Sequence, residues 1–394
     1  MKFRFHKGEE EKPGARGHWV AAALVAMTLA ALGGGKAAEP EVPTLRTAYE
    51  PHFLVGVALG GSHVTGGNEK AAAIVARQFS SITAENDMKW QSIHPEPGLY
   101  RFEPADAYFD FAAKHGMRVI GHTLVWHSQT PDWVFLGNGG EAKSRSELLD
   151  LMREHIHKVV GRYKGRAHGW DVVNEALSDG GPDMLRDSPW RRIIGDDFID
   201  HAFRFAREAD PGAELYYNDY GLEDPRKRAN AVRLVKGMRE RGVPVDGIGT
   251  QSHFHLDAPG LDEVEKTIQE FAALGVKVMV TELDVDVLPT RGHGGADISR
   301  RERGGDGMDP YKDGLPAEVQ ERLARRYADL FRIYLRHRES ITRVTFWGLD
   351  DGATWLNHFP IEGRTNHPLL IDRKLEPKPA FFSVLALPRE IEEQ

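Results

Sequence analysis

The sequence predicts an α/β protein folded as a single (β/α)8 TIM barrel. Three observations carry that prediction. Eight short β-branched or aromatic runs recur between residues 53 and 348, and longer amphipathic stretches separate them. Alternation of that kind suggests a closed parallel barrel. The C-terminal end of nearly every run also carries carboxylates, amides, imidazoles or large aromatics, which is where barrel enzymes place their chemistry.

The runs are 53–59, 80–85, 117–125, 169–174, 213–218, 247–252, 277–283 and 343–348. Several are apolar without strict alternation, as expected of parallel strands covered on both faces. Helices are expected over 146–163, 190–209, 226–241, 261–274 and 316–337. In the first of these, Leu148, Leu149, Met152, Ile156, Val159 and Val160 fall at helical spacing. Ser144 stands three residues before Glu147, the spacing of a capping box. An open doubly wound sheet is the alternative. It usually carries a G-x-G-x-x-G loop after its first strand, and Gly60-Gly61 and Gly66-Gly67 do not form one. No low-complexity linker or internal repeat divides the chain, so one barrel is expected over 45–388. The long irregular segment 289–316 follows the seventh strand and is expected to be functional or mobile rather than a boundary.

The chain of 394 residues is 41% hydrophobic and 28% charged, a globular composition. Its formal net charge of −8 argues against nucleic acid or an anionic membrane as partner, since both need a basic face. There is no cysteine, which excludes disulfides and thiolate metal sites. Residues 1–18 are polar and include Lys2, Arg4, Lys7, Lys12 and Arg16; Trp19 to Leu32 is almost entirely apolar, and small residues follow to Ala38. That is the layout of a secretory signal, with an uncleaved anchor as the alternative. The folded part is therefore expected to be secreted, periplasmic or on the cell surface.

Read in order, the strand ends offer Glu85-Asn86 with Lys89 and Trp90, then His122, Trp126 and His127, then Asn174-Glu175. Asn218-Asp219-Tyr220, then Gln251, His253 and His255, then Glu282 and Asp284, and finally Trp347 and Trp355 complete the series. Tryptophans stack on sugar ring faces, and amides, carboxylates and ammonium groups bind hydroxyls. Breaking a glycosidic bond needs one protonated and one ionised carboxyl. Glu175 and Glu282 end strands three steps apart around the ring, so they are expected to face one another across the mouth. At a separation of about 5–5.5 Å they would act with retention. A metal reading of the histidines is set aside. His253 and His255 are expected to point to opposite faces, and His122 and His127 to diverge.

The segments TAENDMKW (83–90), GHTLVWH (121–127), WDVVNE (170–175), YNDY (217–220), GTQSH (249–253), TELD (281–284) and FWGLD (346–350), followed by Trp355, resemble glycoside hydrolase family 10. The resemblance runs from about residue 50 to 385. It implies an endo-1,4-β-xylanase with Glu175 as general acid/base and Glu282 as nucleophile. It further implies that Asn174 bonds the 2-hydroxyl of the −1 sugar, and that His253, oriented by Asp284, bonds Glu282. Gln251 and His122 would line the −1 subsite, and Glu85, Asn86 and Lys89 would grip the −2 sugar. Trp126, Trp347 and Trp355 would form apolar walls, with Tyr220 near the acid/base or the +1 sugar. One departure is Gly221, where related sequences often carry Asn, which is expected to loosen that loop. Xylan and xylo-oligosaccharides are the expected partners of a monomer, with no cofactor, metal or protein partner. A β-1,4-glucanase of the same fold and a non-hydrolytic carbohydrate-binding barrel are the rivals. The retained catalytic set and the −2 residues weigh against them.

Overall fold

A computed structural model describes residues 42–290 and 296–393, and Pro43–Gln394 form one compact unit. The expected N-terminal signal, residues 1–40, lies outside the described residues. In chain order the elements are α1 (Leu45–Tyr49), β1 (Leu54–Leu59), α2 (Glu69–Gln78), β2 (Ser81–Ala84), α3 (Trp90–Ile93), α4 (Glu103–His115) and β3 (Arg118–Trp126). Then follow α5 (Arg145–Arg162), β4 (Ala167–Asn174), α6 (Pro189–Ile194), α7 (Phe198–Ala209), β5 (Glu214–Asp219), α8 (Pro225–Glu240), β6 (Gly247–Thr250) and β7 (His253–His255). The chain continues through α9 (Leu261–Ala272), β8 (Lys277–Asp286), α10 (Ala317–Arg336), β9 (Ile341–Phe346) and α11 (Pro379–Glu392).

Strands β1 to β6, β8 and β9 pair in parallel, and the β6–β8 and β1–β9 pairings close the ring of eight. The open-sheet alternative is thereby excluded. Inside the ring, Ile120, Tyr216 and Met279 form their own buried cluster. They come from alternate strands, as the filling layer of a barrel does. Outside it, the helices bury their apolar faces against the strands. Gly121, next to Ile120 and so on the opposite, helix-covered face of β3, is required there because a Cβ would lie 2.1 Å from the Trp170 ring.

Helix α5 starts as its sequence predicts. Ser144 accepts from the Glu147 amide, and the Glu147 carboxylate accepts from the Ser144 amide at 2.8 Å. Two expectations are corrected. The helix expected over 190–209 is two helices, because Gly195 adopts φ +108, a conformation a helix cannot contain. The strand expected over 247–252 stops at Thr250. Ser252 turns at φ +62, and the chain re-enters pairing as β7, alongside the far end of β8. Strand β8 therefore runs on to Asp286, which places Glu282 and Asp284 within a strand rather than at its end.

Candidate active site

The Cα periodicity of two along β7 and β8 puts His253 opposite Asp284 in register. The imidazole Nδ1 lies 3.0 Å from Asp284 Oδ1 and its Nε2 3.2 Å from Glu282 Oε2. Asp284 is held from its other side by the Trp355 indole, which donates at 2.8 Å. Burial opposes a charge on His253, but Asp284 and Glu282 outweigh it and push its pKa up to about 10. The imidazole between two carboxylates thus favours its cationic form. Burial also opposes ionisation of Glu282, but the His253 bond, the His122 and His253 rings and the Asn218 amide, which donates at 2.8 Å, hold it below the usual carboxylate range.

Glu175 follows the last residue of β4 and has φ +57, a left-handed conformation uncommon outside glycine. Its Oε2 accepts from the Trp126 indole at 2.8 Å, and its Oε1 from Gln251 at 2.9 Å and Asn174 at 3.2 Å. Burial, then the charge of Asp219, then that of Glu282 raise its pKa to about 7, against the opposing pull of Gln251 and Trp126. One carboxyl is therefore disposed to carry a proton near neutrality and the other to stay ionised. Asn218 joins them: its amide donates to Asn174 Oδ1 at 3.0 Å as well as to Glu282.

Next to this pair, Lys89 donates to Asn86 at 3.0 Å and to Gln129 at 2.8 Å, and its ammonium sits 4.9 Å over the Trp126 ring. Burial lowers the Lys89 pKa against the pull of Glu282, Glu85 and Glu175. Burial likewise raises the Glu85 pKa. His122 is oriented by Asp171 at 3.0 Å and packs edge-on to Trp347.

Most of these side chains line one cavity of about 130 Å³, with Asn218, Asp219 and Asp171 behind it. It gathers Glu85, Asn86, Lys89, His122, Trp126, Asn174, Glu175, Gln251, His253, Glu282, Trp347 and Trp355. Asp284 and Tyr220 instead border the adjoining cavity of about 560 Å³, which shares His253 and Trp355 with the first. Sequence reasoning did not single out the roles of Asn218, Asp219 and Asp171, although all three stand inside quoted segments. Gln129, Ala296 and Ile298 carry no local signal at all, yet they line the smaller cavity. Ala296 and Ile298 come from the 289–316 segment, of which 291–295 lie outside the described residues.

The facing expected of two histidines is corrected. Residues two apart on a strand share a face, and His253 and His255 are both less deeply buried than Phe254 between them and border the larger cavity. What keeps His253 from a metal is that both its ring nitrogens are taken by carboxylates. Among the described residues, no group of three or more acidic or imidazole side chains is disposed to hold a metal ion. Gly221 has φ +62. That is the region glycine and asparagine both tolerate, so the exchange keeps the turn.

The profile of Glycosyl hydrolase family 10 matches residues 44–387. Endo-1,4-beta-xylanase A of Xylanibacter ruminicola is 44% identical over 346 residues, covering 88% of this chain and 93% of that protein. Among solved structures, a family 10 endoxylanase retrieved from a sugarcane soil metagenome superposes with a TM-score of 0.85 at 46% identity, over 87% of this chain and 99% of that one. A mutant in complex with xylotriose superposes with a TM-score of 0.79 at 38% identity, again over 87% and 99% of the two chains.

Proposed function

The chain belongs to glycosyl hydrolase family 10, and on that premise we propose that it cuts internal β-1,4-xylosidic bonds of xylan, with Glu175 as acid/base and Glu282 as nucleophile. The observation that carries the assignment of roles is the different company kept by two buried carboxyls on one cavity: Glu282 has the His253 imidazole at 3.2 Å and the Asn218 amide at 2.8 Å, whereas Glu175 has the Asp219 carboxylate behind it. In the first step Glu175 gives its proton to the leaving glycosidic oxygen while Glu282 attacks the anomeric carbon. In the second, Glu175 takes a proton from water, and the resulting hydroxyl displaces the sugar from Glu282. Two displacements at one carbon retain its configuration, the outcome of this family.

The imidazolium of His253 keeps the nucleophile ionised and fixed in direction. Asn174 is placed to bond the 2-hydroxyl of the −1 sugar, an interaction that strengthens as the anomeric carbon gains charge. Lys89, Asn86 and Glu85 bind the −2 hydroxyls, and Trp126, Trp347 and Trp355 enclose the ring faces. Xylan and xylo-oligosaccharides are the substrates in this reading, in which a monomer suffices, because one chain brings Glu175, Glu282 and the side chains around them to one cavity. The charge and apolar pattern of residues 1–40 supports export to the cell surface, the periplasm or the medium.

Reducing-sugar release from soluble xylan by the wild type, Glu175→Ala and Glu282→Ala tests the assignment. The expected result is a loss of orders of magnitude in both variants, with azide rescuing them as glycosyl azides of opposite anomeric configuration. Hydrolysis of carboxymethylcellulose in place of xylan, or binding without turnover, would overturn it.

A further inference from the structure

Tyr217 and Asp219 stand two apart on β5 and share a face. Asn218 between them reaches Asn174 and Glu282. Neither Tyr217 nor Asp219 borders the cavities described above. Both are fully buried behind the turn that leaves β4. The Tyr217 hydroxyl accepts from the amides of Ala176 and Leu177, each at 3.1 Å, and donates to Asp219 Oδ2 at 2.5 Å. One donor and two acceptor sites are all a hydroxyl has, so its proton is committed to Asp219. Asp219 Oδ2 also accepts from the Leu177 amide at 3.2 Å. Its Oδ1 accepts from the Tyr220 amide and from Lys227 Nζ, each at 2.9 Å. Lys227 is itself buried, donates to Asp179 at 2.8 Å, and lies 3.7 Å over the Tyr220 ring.

This network grips the two residues after Glu175. Glu175 itself, at φ +57, is tied by its own amide to the Asn218 carbonyl at 2.9 Å and by its carbonyl to Arg186 at 3.2 Å. A strained conformation persists only where its surroundings over-determine it. We propose that Asp219, acting through Tyr217 and balanced by Lys227, is a positioning residue for Glu175: it clamps the turn that aims this carboxyl and sets a buried negative charge behind it. The inference rests on Glu175 being the acid/base.

Several charged or titratable groups act on Glu175. Glu282 and Lys89 do so across the cleft, with Asp219 and Tyr220 on the other side. Arg186 and Lys227 in turn bear on Asp219. Removing the Asp219 charge makes Glu175 easier to ionise, and removing the Lys227 charge makes it harder.

The test compares wild type, Asp219→Asn, Tyr217→Phe and Lys227→Met on two aryl β-xylobiosides across pH, with thermal unfolding of each variant as a control. A phenolate leaving group needs the proton of Glu175, and a dinitrophenolate does not. Asp219→Asn is expected to lower kcat/KM for the phenyl substrate by at least ~10-fold and leave the dinitrophenyl substrate within about 3-fold. Its alkaline limb moves to lower pH by roughly one unit. Tyr217→Phe shows the same leaving-group selectivity with the limb in place, because the charge remains. Lys227→Met moves the limb to higher pH, which keeps the inference testable even if Asp219→Asn does not fold. Equal losses on both substrates with unmoved limbs would reduce the network to a structural role and overturn the proposal. Glu175→Ala serves as the reference. If that variant lacks leaving-group selectivity and azide rescue, the acid/base reading fails and the proposal falls with it.

Discussion

Replacing His253 by Asn separates the two jobs of its imidazole. The Asn amide nitrogen falls near the position of Nδ1, so it keeps a donor for Asp284, but it does not reach Glu282. Glu282 then loses the 3.2 Å contact with Nε2 and the positive charge behind it, retaining only the Asn218 donor at 2.8 Å. A hydrogen bond to a charged group contributes about 1.5–3 kcal/mol. At 1.36 kcal/mol per unit, that is an upward movement of the acid limb of the pH–rate profile by about one to two units. The assay is kcat/KM on xylo-oligosaccharides from pH 3 to pH 8, together with thermal unfolding over a wider range. Stability carries a second sign. The pKa of His253 is raised in the fold to about 10, so its contribution is fully present below the unfolded value of about 6.5 and fades as pH rises through 10. That of Glu282, lowered in the fold, is present above the unfolded carboxylate value of about 4.3 and is lost in acid. The melting difference between wild type and variant should therefore be largest near pH 5–6 and shrink toward pH 10. An unmoved acid limb, or a melting difference independent of pH, would refute the reasoning.

Three further outcomes follow from the same structure. Trp126→Phe removes the indole donor that favours the ionised form of Glu175, so the alkaline limb near pH 7 should move to higher pH, read as kcat/KM against pH. The stacked, buried pair His94 and His155 and the partly buried His127 favour the neutral form, with His94 and His127 lowered to about 4 and His155 lowered well below the usual range by burial. The unfolded chain takes up these protons first as pH falls, so stability should be lost between about pH 6.5 and pH 4 by thermal unfolding. His155→Phe should flatten that slope. Gly121→Ala drives a Cβ into the fully buried Trp170 ring; it should cost about 1–3 kcal/mol and lower the melting temperature by several degrees while leaving the pH profile in place.

The barrel was legible because its information is local. Runs such as 277–283 need no knowledge of a partner to read as buried strands, and the Ser144–Glu147 spacing marks a helix start on its own. The limits of 190–209 were partly legible too, since Gly195 before Asp196-Asp197 is a turn signal that helical periodicity masked. The break after Thr250 was not: apolar and polar residues run evenly through it, and what ends the pairing is the competition between β6 and β7 for neighbouring stretches of β8. The cavity residues divide the same way. Glu175, Glu282 and Asn174 follow from strand ends and motif. Gln129 reaches the site only because its loop folds back over Lys89, and Ala296 and Ile298 because of the path of an irregular segment.

The sequence by itself determined the barrel, the ring position of the two carboxyls and the residue types around them, because strand periodicity and motif spacing are properties of neighbouring residues. Only the tertiary structure decided which carboxyl is the better placed to hold a proton. Burial disfavours the charge on both, and the difference comes from Asp219 behind Glu175 and from His253 beside Glu282. Such electrostatic coupling depends on separations of a few ångströms between residues tens of positions apart, and no local pattern encodes them.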